Sequence, residues 1–140
     1  MERIVAKFGG SSVADAAQFR KVAAIMQADP RRRILVVSAP GKRRPDEAKI
    51  TDLLYLCHDM AAMATGIDEP FGLITERFTG IAAELGIDSA LPVLLQTFRR
   101  ELEAGCSREF AVSRGAFFCA RLMPAFLSAE IVDPANHNLL

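Results

Sequence analysis

A chain of 140 residues, 51% hydrophobic and 24% charged, has the composition of one soluble globular domain. Seventeen Lys and Arg balance seventeen Asp and Glu, so no basic stripe for nucleic acid is expected, and the runs "RRR" (31–33) and "KRR" (42–44) read as solvated loops. Three cysteines without C-x-x-C spacing suggest neither a zinc site nor a dithiol.

The opening "MERIVAKFGG" has an apolar stretch too short and too charged for a signal peptide. No apolar run approaches a membrane span. Reduced thiols and a cytoplasmic location are the expectation.

In chain order, "RIVAKF" (3–8) is a β-branched run closed by two glycines and reads as a buried strand. The following "SSVADAAQFRKVAAIMQADP" places Val13, Ala16, Ala17, Phe19, Val22, Ala23 and Met26 at helical spacing, with Asp29-Pro30 as the stop. "RILVVSAPG" (33–41) is a second buried strand ended by Pro40-Gly41. Strand, helix, strand over about forty residues is a βαβ unit, which implies a parallel pair with a right-handed crossover. Helices are expected over 50–65, 69–85, 90–104 and 107–128, the last kinked or divided at Pro124. "AEIVDP" (129–134) is expected as a third strand. The order describes an open α/β protein whose sheet stops early, as if further strands should follow.

The stretch "KFGGSSV" (7–13) has the chemistry of a phosphate cradle. Gly9 and Gly10 permit positive φ and close approach of another group to the backbone. Free N–H groups at such a turn form an anion nest, and a helix N-terminus beyond it adds partial positive charge. Ser11 or Ser12 can cap that helix or donate to a phosphate oxygen. Lys7 stands at the C-terminal end of its strand, where open α/β sheets place ligands. The alternative is a tight βα turn with a snorkelling lysine. The second strand repeats the theme, with Ser38 at its end and Thr51 opening the next helix; singly, these are a turn former and an N-terminal helix residue. Gly41-Lys42 is no Walker loop, since Val36 occupies the earlier glycine position and no Ser or Thr follows the lysine. Cys57-His58 reads as part core and part surface.

Taken together, "KFGGSSV", "VVSAPGK" with "KITDLL", "SRGAFFCARLMPAFL" and "AEIVD" resemble, in order, four blocks of the aspartate kinases, within the wider amino-acid kinase family. The resemblance implies an open, mainly parallel sheet with helices on both faces, of which residues 1–140 would be the N-terminal portion. The rest of the kinase domain and the regulatory domains would lie beyond Leu140. It implies ATP-dependent phosphorylation of the side-chain carboxylate of L-aspartate to 4-phospho-L-aspartate, the first step toward lysine, threonine and methionine. Lys7 would be the catalytic, phosphate-contacting cation. Lys7, Phe8, Gly9, Gly10 and Ser11 would bind ATP, and Ser38 and Thr51 would bind aspartate. Mg²⁺ would accompany ATP, with no protein ligand assigned. The partners implied are L-aspartate, ATP and further copies of the chain in a homo-oligomer, with neither nucleic acid nor membrane.

That assignment agrees with the charge problem of the reaction. A carboxylate attacking a phosphate brings two anions together, and catalysis is largely positioning and charge stabilisation. One departure weakens it. The family's third block reads Ser-x-Gly-Glu, whereas this chain has Ser113-Arg114-Gly115-Ala116, so a substrate contact is absent. With the missing half, this leaves no turnover expected of the portion by itself. The alternative function is a non-catalytic phosphate- or protein-binding domain of the same fold.

Overall fold

The structure is a computed structural model and describes residues 2–87, 90–123, 127 and 130–131. Strand β1 spans Ile4–Phe8 and is followed by a 3-10 turn at Gly10–Val13. Helix α1 (Ala16–Ala28) leads to β2 (Arg32–Val37), and then come α2 (Ile50–Ala62), α3 (Asp68–Leu85), α4 (Leu91–Glu103), α5 (Arg108–Leu122) and the short β3 (Glu130–Ile131). The strands form one parallel sheet in the order β1-β2-β3. The expected βαβ unit is present, and the expected third strand pairs with β2 through its two described residues. Pro124 lies outside the described residues.

Two local expectations are corrected. The helix after the glycines does not begin at Ser11 or Ser12. Those residues form the 3-10 turn, and α1 starts later because Asp15 caps it, its Oδ1 accepting from Gln18 N–H at 2.9 Å. A carboxylate at that position both satisfies an orphan donor and complements the helix dipole. The second strand ends at Val37 rather than Gly41. Residues 38–49 turn away as a long loop, although Ser38 N–H still donates to Phe8 C=O at 3.2 Å.

Side chains alternate across a strand. In the β1–β2 register, Ala6 lies opposite Leu35 and Phe8 opposite Val37. Leu35 and Val37 are buried, and Ala6 and Phe8 pack against the same core. The other face carries Val5, 59% exposed, together with exposed Lys7 and half-buried Ile34 and Val36.

The core continues from the sheet into the helices as one cluster. At its centre, Phe118 of α5 meets Phe78 of α3 at 5.4 Å and Phe98 of α4 at 5.7 Å between ring centroids, and Phe98 meets Phe71 at 6.1 Å. Edge and tilted contacts of this kind suit the ring quadrupoles and add to the area term. The helices therefore anchor to one another around a few aromatic rings, with α2 packed against both α3 and α5.

Removing one ring tests this. Phe118→Ala should lower unfolding free energy by about 3–5 kcal/mol, read from the denaturant midpoint at constant slope. A midpoint close to that of the unchanged protein would show that the cluster does not organise the helices.

Candidate functional site: a glycine-walled cleft at the strand ends

The two loops that leave β1 and β2 touch each other. Gly41 N–H donates to Gly10 C=O at 2.8 Å. A Cβ on Gly10 would stand 3.0 Å from Ala39 O, and one on Gly41 would stand 2.9 Å from Gly10 C. Neither glycine has a positive φ; among described glycines only Gly86 and Gly105 do. Of the two uses of glycine expected at Gly10, positive φ and close approach, the structure uses close approach of backbones, and Gly41 serves the same end.

Beside this contact lies a cleft of about 450 Å³, lined by Gly10, Ser11, Ser38, Ala39, Pro40, Gly41, Lys42, Lys49 and Thr51. It opens at the C-terminal ends of parallel strands, where ligands of open α/β sheets sit. The structure therefore brings Gly10, Ser11, Ser38 and Thr51 together. Lys7, Phe8 and Gly9 are not among the lining residues. Lys7 is exposed on the sheet face of Val5, and Phe8 packs toward the core.

The cleft also holds what sequence reasoning missed. Lys42 and Lys49 stand in its wall, and both are exposed. Lys49 is the N-cap of α2 and makes no side-chain capping bond. The 13-residue α2 thus begins at the cleft without a side-chain cap, leaving its positive end to other partners. The helix end at the site belongs to α2, whose first turn carries Asp52 but whose N-cap makes no side-chain bond, whereas α1 is capped by Asp15. No carboxylate lines the cleft. Its donors are hydroxyls, ammonium groups and backbone N–H, a set suited to an anion and poor for holding a bare divalent cation. Among the described residues no group of three His, Cys, Asp or Glu could hold a metal ion.

The loop over the cleft is internally braced. Glu47 accepts from Arg43 N–H at 2.8 Å and from the Arg43 guanidinium. Arg77 Nη1 lies 3.4 Å from Glu47 Oε2. The Arg43 side-chain hydrogen bond, with further help from its backbone N–H and the charge of Arg77, holds the Glu47 carboxyl down to about 2. Arg77, on α3, is only 3% exposed, and its Nη2 donates to Gly41 C=O at 2.6 Å and to Ala14 C=O at 3.2 Å. Burial lowers the pKa of Arg77, against the pull of Glu47.

The third sequence block lies against this loop. Gly115 of α5 is buried, and a Cβ there would stand 2.6 Å from Ala39 Cβ and 3.1 Å from Leu54 Cδ1. Ala116 is half-buried and does not line the cleft. Arg114 is stacked between Phe110 and Phe117, 4.5 and 4.3 Å from their centroids. Elsewhere, His58 Nε2 lies 3.0 Å from Cys106 C=O. Burial pushes the Cys57 thiol up to about 11 and raises Cys119 further still, so neither thiol is poised for chemistry.

Comparison with known proteins follows the same residues. No protein-family model matches the chain. Aspartokinase 3 of Bacillus subtilis (strain 168) is 41% identical over 87 residues, which are 62% of this chain and 19% of that protein. The crystal structure of Clostridium acetobutylicum aspartate kinase superposes with a TM-score of 0.89 at 41% identity, covering 93% of this chain. This chain is homologous to part of the aspartokinases. Escherichia coli aspartokinase III, solved in complex with lysine and aspartate, gives a TM-score of 0.67 at 25% identity over 88% of this chain. The same enzyme in complex with aspartate and ADP shares the fold, at a TM-score of 0.64. The chain spans 19% of the curated aspartokinase and 30% of the C. acetobutylicum enzyme. Among the described residues no helix is long and apolar enough to cross a membrane.

Two predictions follow from the packing. Gly41→Ala and Gly115→Ala should each cost about 1–3 kcal/mol, since a loop must move to admit the methyl group. Gly9→Ala, with nothing within 4 Å of the new carbon, should stay within about 0.5 kcal/mol; equal losses at all three in denaturant titrations would contradict the close approach. The second concerns acid. The folded Glu47 carboxyl sits near 2 against an ordinary value of 4.5, so its contribution is complete above 4.5 and is lost as pH falls toward 2. The stability gap between the unchanged protein and Glu47→Gln should therefore be widest above pH 4.5 and close on acidification. A gap constant with pH would remove Glu47 from the brace.

Proposed function

We propose that this chain forms the part of an aspartate kinase that holds the anionic ends of its substrates, L-aspartate and the phosphates of ATP. The observation that carries the reading is the convergence of Gly10, Ser11, Ser38 and Thr51 on one cleft walled by Lys42 and Lys49. Homology to aspartokinases over 62–93% of the chain supports it, as does the aspartate and ADP recorded with the E. coli relative.

When bound, Mg-ATP would supply the phosphoryl group. The contribution of the chain is electrostatic and positional. Ser38 and Thr51 hydroxyls and the uncapped N–H groups of α2 would orient the aspartate carboxylate. Gly10 and Ser11 would present donors to phosphate oxygens. Lys42 and Lys49 would offset the repulsion between two anions brought to reacting distance. Lys7, Phe8 and Gly9 belong to the proposal through the family resemblance alone. With no carboxylate in the cleft, Mg²⁺ would arrive on the phosphates and not on this part of the protein. A place in the biosynthesis of lysine, threonine and methionine, a cytoplasmic location and a homo-oligomeric state belong to the same proposal.

One observation favours a second reading. Ala116 replaces the family's glutamate and lies outside the cleft lining. That suits a domain which binds phosphate without turning aspartate over.

Calorimetric titration of the chain with Mg-ATP and, separately, L-aspartate tests both. The kinase reading expects saturable binding of each. Replacing Lys42 and Lys49 together by Ala should weaken binding about ten- to a hundredfold, or about 1.4–2.7 kcal/mol. Binding of Mg-ATP alone would support the second reading. Binding of neither by the folded chain would reject both.

A further inference from the structure

Two backbone segments meet at the cleft: 10–14, of which Gly10 and Ser11 line it, and 38–41, all four of which do. Their direct link is one hydrogen bond, Gly41 N–H to Gly10 C=O at 2.8 Å. A second link comes from outside the wall. Arg77 reaches from α3, 63 residues from Ala14 and 36 from Gly41, and one nitrogen, Nη2, donates to the carbonyls of both. The same guanidinium stands beside Glu47, which holds Arg43 and hence the far side of the loop.

This arrangement is a poor way to gain stability. Arg77 is 3% exposed; its Nε has no hydrogen-bond partner among the described residues, and its Nη1 has only the 3.4 Å ion pair with Glu47. Burying a guanidinium carries a large desolvation cost, and a buried ion pair replaced as a whole by apolar side chains of similar volume is often neutral or stabilising. A buried Nε–H without a hydrogen bond adds to that cost. A helix that needed only packing here could use Met or Leu. What an apolar residue cannot do is grip two carbonyls at once.

We infer that Arg77 is a positioning residue for the cleft, tying Ala14 to Gly41 so that the Gly10–Gly41 contact and its neighbouring donors keep one geometry. It does not touch the ligand; it acts through the Gly41 loop, which carries Lys42. The consequence for binding rests on the proposed anion site, whereas the effect on the wall does not. A residue that fixes donors ahead of binding lowers the ordering cost paid on association.

The test separates wall, fold and ligand. Amide hydrogen exchange is measured on the full chain for the unchanged protein, Arg77→Met, Arg77→Lys and Glu47→Gln. The readout is the exchange rate of Gly41 N–H divided by that of Leu35 N–H in the buried strand. In Arg77→Met the ratio should rise at least tenfold, with Gly41 N–H accelerated beyond any change that the denaturant midpoint imposes on Leu35 N–H. Arg77→Lys keeps the charge but loses the planar guanidinium that holds Nη2 between the two carbonyls, so its ratio should fall between the two. Should the methionine variant not fold, the lysine and Glu47→Gln variants still decide, each with a predicted rise of threefold or more. A ratio unchanged in the folded variants overturns the inference, as does a uniform acceleration of both amides, which marks a structural role only.

Titration with Mg-ATP and with L-aspartate then reads the ligand arm. If the unchanged protein binds either, Arg77→Met should weaken that binding tenfold or more, and equal affinity overturns the inference. If the unchanged protein binds neither while the exchange ratio rises, the positioning role stands and the anion-site reading falls.

Discussion

Two glycines in contact, Gly10 and Gly41, are the constraint on which the site depends. Parallel strands β1 and β2 deliver their following loops side by side, 2.8 Å apart between N and O. Any side chain at either position would push the loops apart. Because the loops meet, Ser11, Ser38, Lys42, Lys49 and Thr51 face one volume instead of separate patches of solvent. The cleft is thus a product of sheet topology plus the absence of two Cβ atoms.

The rest of the fold keeps that contact in place. Leu35, Val37, Ala6 and Phe8 fix the strand pair against the helical core. Gly115 lets α5 approach Ala39 and the start of α2, so the third sequence block supports the loop while staying out of the cleft. Arg77 and Glu47 secure its outer part by charge. Packing and charge therefore act on opposite sides of the same twelve-residue stretch, 38–49. A cleft so bounded has a helix end without a side-chain cap and two exposed ammonium groups, Lys49 and the Lys42 that also reaches Pro45 C=O, which is the property the kinase reading requires.

Sequence reasoning reached the strands, the βαβ unit and the helices because each is a local pattern. "RIVAKF", the spacing of Phe19, Val22 and Met26, and the Leu-rich run after Ile50 announce themselves within a few residues. It grouped Gly10, Ser11, Ser38 and Thr51 because strand ends in a parallel sheet open on one edge. It erred where a competing local group won. Asp15 outcompeted Ser11 and Ser12 as the cap, which shifted the usable helix end from α1 to α2. Lys42 and Lys49 were passed over because charged residues in a loop resemble any solvated run. Arg77 gave no signal at all, since its partners are backbone carbonyls 63 and 36 residues away.

Residue-resolved amide chemical shifts, followed while Mg-ATP and then L-aspartate are added, test the central claim most directly. The account predicts that the largest changes fall on Gly10, Ser11, Ser38, Gly41 and Thr51, while a second groove, lined by residues of α3 and α4 that include Phe71 and Arg99, stays nearly still. Shifts centred on that groove, with the glycine-walled cleft unmoved, would contradict it.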